Sequence, residues 1–299
     1  MDYLLQAFHI LILVFWVRLW SASSKEFHFN PLLSGTVRLT DSALAFLRPV
    51  LFLPEQAAAL AVLLFILLFK TMLFWKFGGN WGISIGMLFS FAPRAAADDP
   101  LTPLILFSVL QAATFIIRLW TVYLLVRLIT PSTRVTRATD ALAYFARPFS
   151  RLPFLMQPIV LLAFHAALAL ILTRTCVPGN APLQESPLTA SPFLAGPFYA
   201  QIMKIGWLAA ISLADGLKFM MNALLAVILC NIVASILQLR GTAIVSNECI
   251  ELLLGRFARR SPSSMGIDFT PLIFIFVVNI AYGSVCSVFH ALINHPILN

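Results

Sequence analysis

The chain has 299 residues, 60% of them hydrophobic and 11% charged, with a formal net charge of +8. A soluble domain carries about a quarter charged residues, so an ordinary cytosolic globule, a disordered chain and a collagen-like fibre are excluded, and a mean hydropathy of +0.92 places the chain in a bilayer. The basic balance is therefore read through loop topology and gives no case for nucleic acid.

Six apolar stretches run at roughly 3–20, 57–77, 103–124, 155–175, 213–238 and 269–290, each near the length a helical span needs. The first opens Met-Asp-Tyr, without the basic leader of a cleaved signal, and reads as a genuine span. Ala57–Phe69 has no polar interruption, beyond what a half-exposed helix shows. Segment 198–212, with Lys204 and Trp207, is either an interfacial helix or an extension of span five. The connections alternate in charge. Segments 21–56 (Lys25, Arg38, Arg48), 125–154 (Arg127, Arg134, Arg137, Arg147, Arg151) and 239–268 (Arg240, Arg256, Arg259, Arg260) are basic. Segment 78–102 has only Arg94, and the proline-rich 176–197 has no basic residue. The positive-inside rule puts the three basic connections in the cytoplasm and both termini outside, the parity that six spans require.

The chain also repeats itself. Residues 38–49, RLTDSALAFLRP, recur as RATDALAYFARP at 137–148, and Phe15-Trp-Val-Arg18-Leu-Trp20 recurs as Phe115-Ile-Ile-Arg118-Leu-Trp120, roughly 100 residues later. A third copy has drifted: Arg256 takes the second arginine position and Asn231 falls near the in-span arginine position. In the second connection Val135, Ala138, Leu142, Phe145 and Phe149 share one helical face, while Arg137, Asp140, Tyr144, Arg147 and Arg151 share the opposite one. That is the pattern of a helix lying in the membrane interface. Arg38 with Asp41, and Arg137 with Asp140, are i,i+3 partners. The expected fold is an all-α membrane protein of six transmembrane helices in three span–surface-helix–span repeats, bounded at 1–77, 78–197 and 198–299.

Arg259-Arg260-Ser-Pro262 followed by Gly266-Ile-Asp268-Phe-Thr270-Pro271 resembles the signature of the YggT (YlmG) family of small integral membrane proteins. The in-span Arg18 and Arg118 and the Arg48-Pro49 and Arg147-Pro148 elements are similar to that family's repeat. The Gly-x-Asp-x-Thr-Pro element is confined to the third copy, and family members usually carry one or two repeats. The resemblance implies a bacterial plasma (inner) membrane location and a non-enzymatic role in membrane organisation or assembly, related to cell division or the envelope. Its alternative is ion or small-solute transport, such as osmotic-stress ion handling. It implies no enzymatic activity.

Individual residues carry two readings each. Arg18 and Arg118 either anchor at the interface beside Trp16, Trp20 and Trp120 or face the bundle and pair with Asp268, Glu248 or a lipid phosphate. Asp268 or Thr270 caps the sixth span, with Pro271 in its first turn where no N–H is needed, or Asp268 partners an arginine. Arg38, Arg48, Arg137, Arg147, Arg256, Arg259 and Arg260 serve topology and anionic headgroups, or dock a cytoplasmic or membrane protein. Lys70 and Lys76 are expected to snorkel outward, Asp215 and Lys218 to pair locally, and Gly283, Ser284 and Ser287 to mark close helix packing. His9, His165 and His290 lie on different spans, and no spacing makes them a haem pair. No cofactor, metal or catalytic motif is expected, and the four cysteines suggest neither a disulfide framework nor a zinc site.

Overall fold

The computed structural model describes residues 2–21, 30–51, 54–77, 82–86, 89–93, 101–130, 137–178, 197–254, 263–264, 267–268 and 270–293. Helices α1 (Asp2–Ser21), α2 (Pro31–Leu51) and α3 (Glu55–Phe77) come first, followed by strands β1 (Ile83–Ile85) and β2 (Phe89–Pro93). Next are α4 (Leu101–Ile129), α5 (Arg137–Phe145), a 3-10 turn at Phe149–Arg151, α6 (Met156–Thr175) and β3 (Cys176–Pro178). The chain ends with α7 (Phe198–Ile236), α8 (Arg240–Leu254), the two-residue strands β4 (Ser263–Ser264) and β5 (Ile267–Asp268), and α9 (Thr270–Ile293). Five helices, α3, α4, α6, α7 and α9, are long and apolar enough to cross a membrane, and α1 carries a shorter apolar stretch, Leu4–Trp20. The fold is predominantly α and is that of a membrane-spanning protein. Segment 198–212 is continuous with the fifth long helix, which runs 39 residues unbroken.

The segment expected to be a plain connection at 78–102 instead contains a hairpin. Ile83 and Ile85 are buried and Ser84 between them is exposed, the alternation a strand imposes. Ile83 pairs with Phe91 and Ile85 with Phe89. Gly86, at the turn, has φ of 64°, a conformation that suits glycine because it has no Cβ. Strand β3 joins the other side of β2, with Phe91 opposite Pro178 and Pro93 opposite Cys176. One face of the hairpin is packed into the protein. Ile83, Ile85 and Phe91 belong to the same core cluster as Leu110, Ile117, Leu168 and Ile211 of α4, α6 and α7.

The three short helices gather at one end, with α5 packing on α2 and α8 and also touching α1. Their apolar stripes were expected against lipid. They are used against protein instead: Leu33 and Val37 of α2 pack with Val17 of α1, and Ala138 of α5 lies with Leu252, Leu253 and Leu254 of α8; Tyr144, read on the polar face, is also buried, with Ala141 beside Val17. A 3.6-residue period gives each helix one apolar stripe, and three adjacent stripes can cover one another. Arg38, Arg137 and Asp140 are left exposed on the outer side of this layer.

Candidate functional site

Helices inside hydrocarbon have no water to flee, so their association rests on close packing and polar bonds. Both meet at Asp215. Gly216 stands where α7 crosses α4: a Cβ there would lie 2.2 Å from Thr121 Cγ2 and 2.7 Å from Thr121 Cβ. The absent side chain lets the two helices approach closely enough to bring Arg118 onto Asp215. Arg118 Nη2 donates to Asp215 Oδ2 at 2.6 Å, and Tyr282 of α9 donates its hydroxyl to Asp215 Oδ1 at 2.7 Å. The Gly86 amide of the hairpin turn donates to both carboxylate oxygens, at 3.0 and 3.1 Å, and Arg118 Nη2 also donates to the Ser84 carbonyl. Asp215 is 5% exposed. One carboxylate of α7 thus joins α4, α9 and the hairpin turn. At 1.5 Å per residue Arg118 lies about 25 Å along α4 from Leu101, and Asp215 about as far along α7 from Phe198.

A second polar contact lies close by. His165 of α6 is fully buried, with Nε2 3.0 Å from Thr121 Oγ1 and Nδ1 2.9 Å from Ser212 Oγ. Thr121 already donates its hydrogen to the Ile117 carbonyl at 3.0 Å, so the network assigns the neutral tautomer. Nε2–H donates to Thr121, and the Ser212 hydroxyl donates to Nδ1. A third contact joins α3 to α4. Lys70, with no exposed surface, donates to Gln111 Oε1 at 2.7 Å, and Thr71 bonds Ser108 at 2.8 Å.

The first in-span arginine is handled differently. Arg18 Nη2 donates to Asp41 of α2 at 2.7 Å and also contacts Glu55 at the start of α3. It therefore ties its own three helices together. Arg118 occupies the matching place in α4 but reaches Asp215, far along the chain. The residue near Glu55's place in the second copy is Gln157, which accepts from Arg127 at 3.2 Å, and Asp140 is exposed. We expect Asp41→Asn combined with Glu55→Gln to cost about 3–5 kcal/mol by leaving Arg18 buried without a carboxylate, and each single change to cost less. Denaturant unfolding of the three variants checks this, and a single change as costly as the double would refute it.

The two arginines pair with Asp41, Glu55 and Asp215 and not with Glu248, and they turn into the protein. Lys70 does not snorkel, because Gln111 offers an acceptor inside the bundle. Lys218 does not pair with Asp215 but sits 5.7 Å from the Tyr282 ring centroid. Arg147 lies over the Tyr144 ring at 3.7 Å, donates to the Trp20 carbonyl and accepts from Trp16 Nε1 through its own carbonyl. Asn231 donates to Asn247 of α8 at 3.0 Å. Gly283 of α9 has open space where a Cβ would stand, so no close helix crossing uses it among the described residues. Pro271 is buried in the first turn of α9, which Thr270 opens. Asp268 pairs with Ser263 through backbone. The side chains of Arg48 and Asp268, and the whole of Arg256, Arg259 and Arg260, lie outside the described residues.

Among the described residues no group of three His, Cys, Asp or Glu side chains could hold a metal ion. Cys249 of α8 is a poor nucleophile, its thiol pushed up by burial and then by the charge of Glu248 and the neighbouring Cys230. The polar interior could have been seen in one place in the sequence: Ser108, Gln111, Thr114, Arg118 and Thr121 recur every three or four residues along α4.

These features define a multi-pass α-helical membrane protein with ionisable groups inside its bundle. The chain matches no protein-family model, no curated protein and no solved structure.

Proposed function

We propose that the chain is a six-span, YggT-like membrane protein built of three span–surface-helix–span units, that it is not an enzyme, and that it handles a small ion or solute at its polar interior. In this reading α1 is the sixth span, and the three short helices lie on the cytoplasmic face of a bacterial plasma membrane. The single observation that carries the reading is the enclosure of Arg118, Asp215, His165 and Lys70 among the long helices. An ionisable residue in a span is costly and marks an ion pathway, a proton relay or a substrate site by default. The re-entrant hairpin adds to this, because irregular backbone at membrane depth recurs beside transport sites. The test is flux of protons, potassium and chloride into liposomes containing the purified chain. We expect one of these to exceed protein-free vesicles and to fall at least tenfold in His165→Phe, which leaves the Arg118–Asp215 pair in place. Folded protein that carries none of the three would overturn the reading.

A second reading is membrane organisation or assembly, in which the short helices engage anionic headgroups or a protein partner. It is favoured by the exposure of Arg38, Arg137 and Arg151 on one end after the apolar faces beneath have been used up by packing. Photo-cross-linking from 137–151 in cells tests it. Recovery of one recurring protein supports docking, recovery of lipid alone leaves headgroup engagement and overturns docking, and recovery of neither overturns the reading.

A further inference from the structure

The Lys70 ammonium is fully buried and has no described carboxylate beside it. Its three N–H groups meet a single described acceptor, Gln111 Oε1 at 2.7 Å, and no described carboxylate pairs with it. The carboxylates that approach other span cations are already engaged: Asp215 by Arg118, Tyr282 and Gly86, and Asp41 and Glu55 by Arg18. None of the described groups around Lys70 adds negative charge. His9 of α1 stacks on Phe115 of α4, with ring centroids 4.8 Å apart and planes 5° from parallel. Phe115 is one turn from Gln111 on one side and one turn from Arg118 on the other, each step about 5–6 Å along the helix. His9 is thus placed between the two and lies within electrostatic reach of both Lys70 and Arg118. His9 Nε2 and Arg118 Nε are buried and bond no group. The hydroxyls of Thr71 and Ser108 complete the neighbourhood, 2.8 Å from each other.

A fully buried ammonium that meets one neutral acceptor and no carboxylate lacks an anionic partner. A low-dielectric interior makes such an imbalance expensive. We infer that Lys70, Gln111 and His9, between α1, α3 and α4, form a binding site for a small monovalent anion of about halide size. The inference rests on the ion-handling reading above and names the class of ion.

The test uses purified full-length protein with chloride as the probe. Chloride binding is measured directly, and thermal unfolding is compared in chloride and in gluconate at equal ionic strength. Wild type is expected to bind chloride and to unfold at a higher temperature in it. Lys70→Met, close in shape but uncharged, is expected to lose at least tenfold in affinity and the chloride-dependent shift. His9→Phe, which keeps the stack on Phe115, is expected to weaken binding severalfold and serves if Lys70→Met does not fold. Unchanged chloride affinity in either folded variant overturns the inference. So does a response of wild type to pH alone, with none to chloride. If wild type binds no chloride but carries potassium or protons, this inference falls and the ion-handling reading stands. If it binds no chloride and carries nothing, both fall.

Discussion

Asp215→Ala should destabilise the protein by about 3–5 kcal/mol, and adding Arg118→Met to the same chain should recover a large part of that loss. The single change leaves a buried guanidinium without its carboxylate, and breaking one side of such a pair costs more than replacing both with apolar groups. The carboxylate also accepts from the Tyr282 hydroxyl and twice from the Gly86 amide, so these donors lose their acceptor in both variants and recovery stays incomplete. Unfolding in mixed micelles measures the cycle. If the double variant is as unstable as the two singles summed, Arg118 and Asp215 are energetically independent and the assignment is wrong. The hairpin supplies a second readout: backbone amide exchange around Gly86 should accelerate when its carboxylate is removed, whatever the residue at 118.

The second large effect is expected at Gly216. A methyl there would sit 2.2 Å from Thr121 Cγ2, and threonine, branched at Cβ, has no long side chain to swing aside. Gly216→Ala should therefore force α4 and α7 apart and cost about 1–3 kcal/mol, although alanine is the better helix former. Thr121→Ala in the same chain removes the clashing methyl and should return part of the loss. Gly35 of α2 and Gly283 of α9 have nothing within 4 Å of a Cβ. Alanine at either should be neutral or slightly stabilising. Equal losses at all three glycines would mean that helix geometry, and not the crossing, sets the cost.

Much of the architecture was legible because hydropathy and period are local. The long helices fall where the apolar runs lie, and the short helix at Arg137–Phe145 falls where a 3.6-residue alternation of face was read. What local pattern does not carry is the choice of partner. Asp215 and Lys218 stand three apart, so a contact within one helix seemed sufficient. The carboxylate instead points across to α4, and Lys218 turns to Tyr282. Lys70 lies near the end of an apolar run, where a long side chain usually escapes to the interface, but Gln111 on a neighbouring helix retains it. His165 matches no other histidine in spacing, and its partners are two hydroxyls on neighbouring helices. The hairpin is hidden for a different reason: strands of three and five residues carry almost no period, and its burial depends on α4, α6 and α7, the last more than a hundred residues away.

The continuous α7 has a consequence for how the molecule must stand in its lipid. At 1.5 Å per residue its 39 residues reach about 58 Å, while the hydrocarbon is about 30 Å thick. Leaning by 40°, the steep end of the usual range, still leaves a vertical reach of about 45 Å. A substantial part of this helix therefore overhangs the slab as a stiff mast. Tyr199 and Trp207, near its Phe198 end, are side chains suited to a headgroup boundary. If the water line falls there, the sheet of β1, β2 and β3 hangs beside a rigid post, and the Asp215 knot lies near the middle of the slab. Thinning the surrounding bilayer would expose more of the post without bending it, so hydrophobic mismatch would be taken up by the shorter helices packed around it.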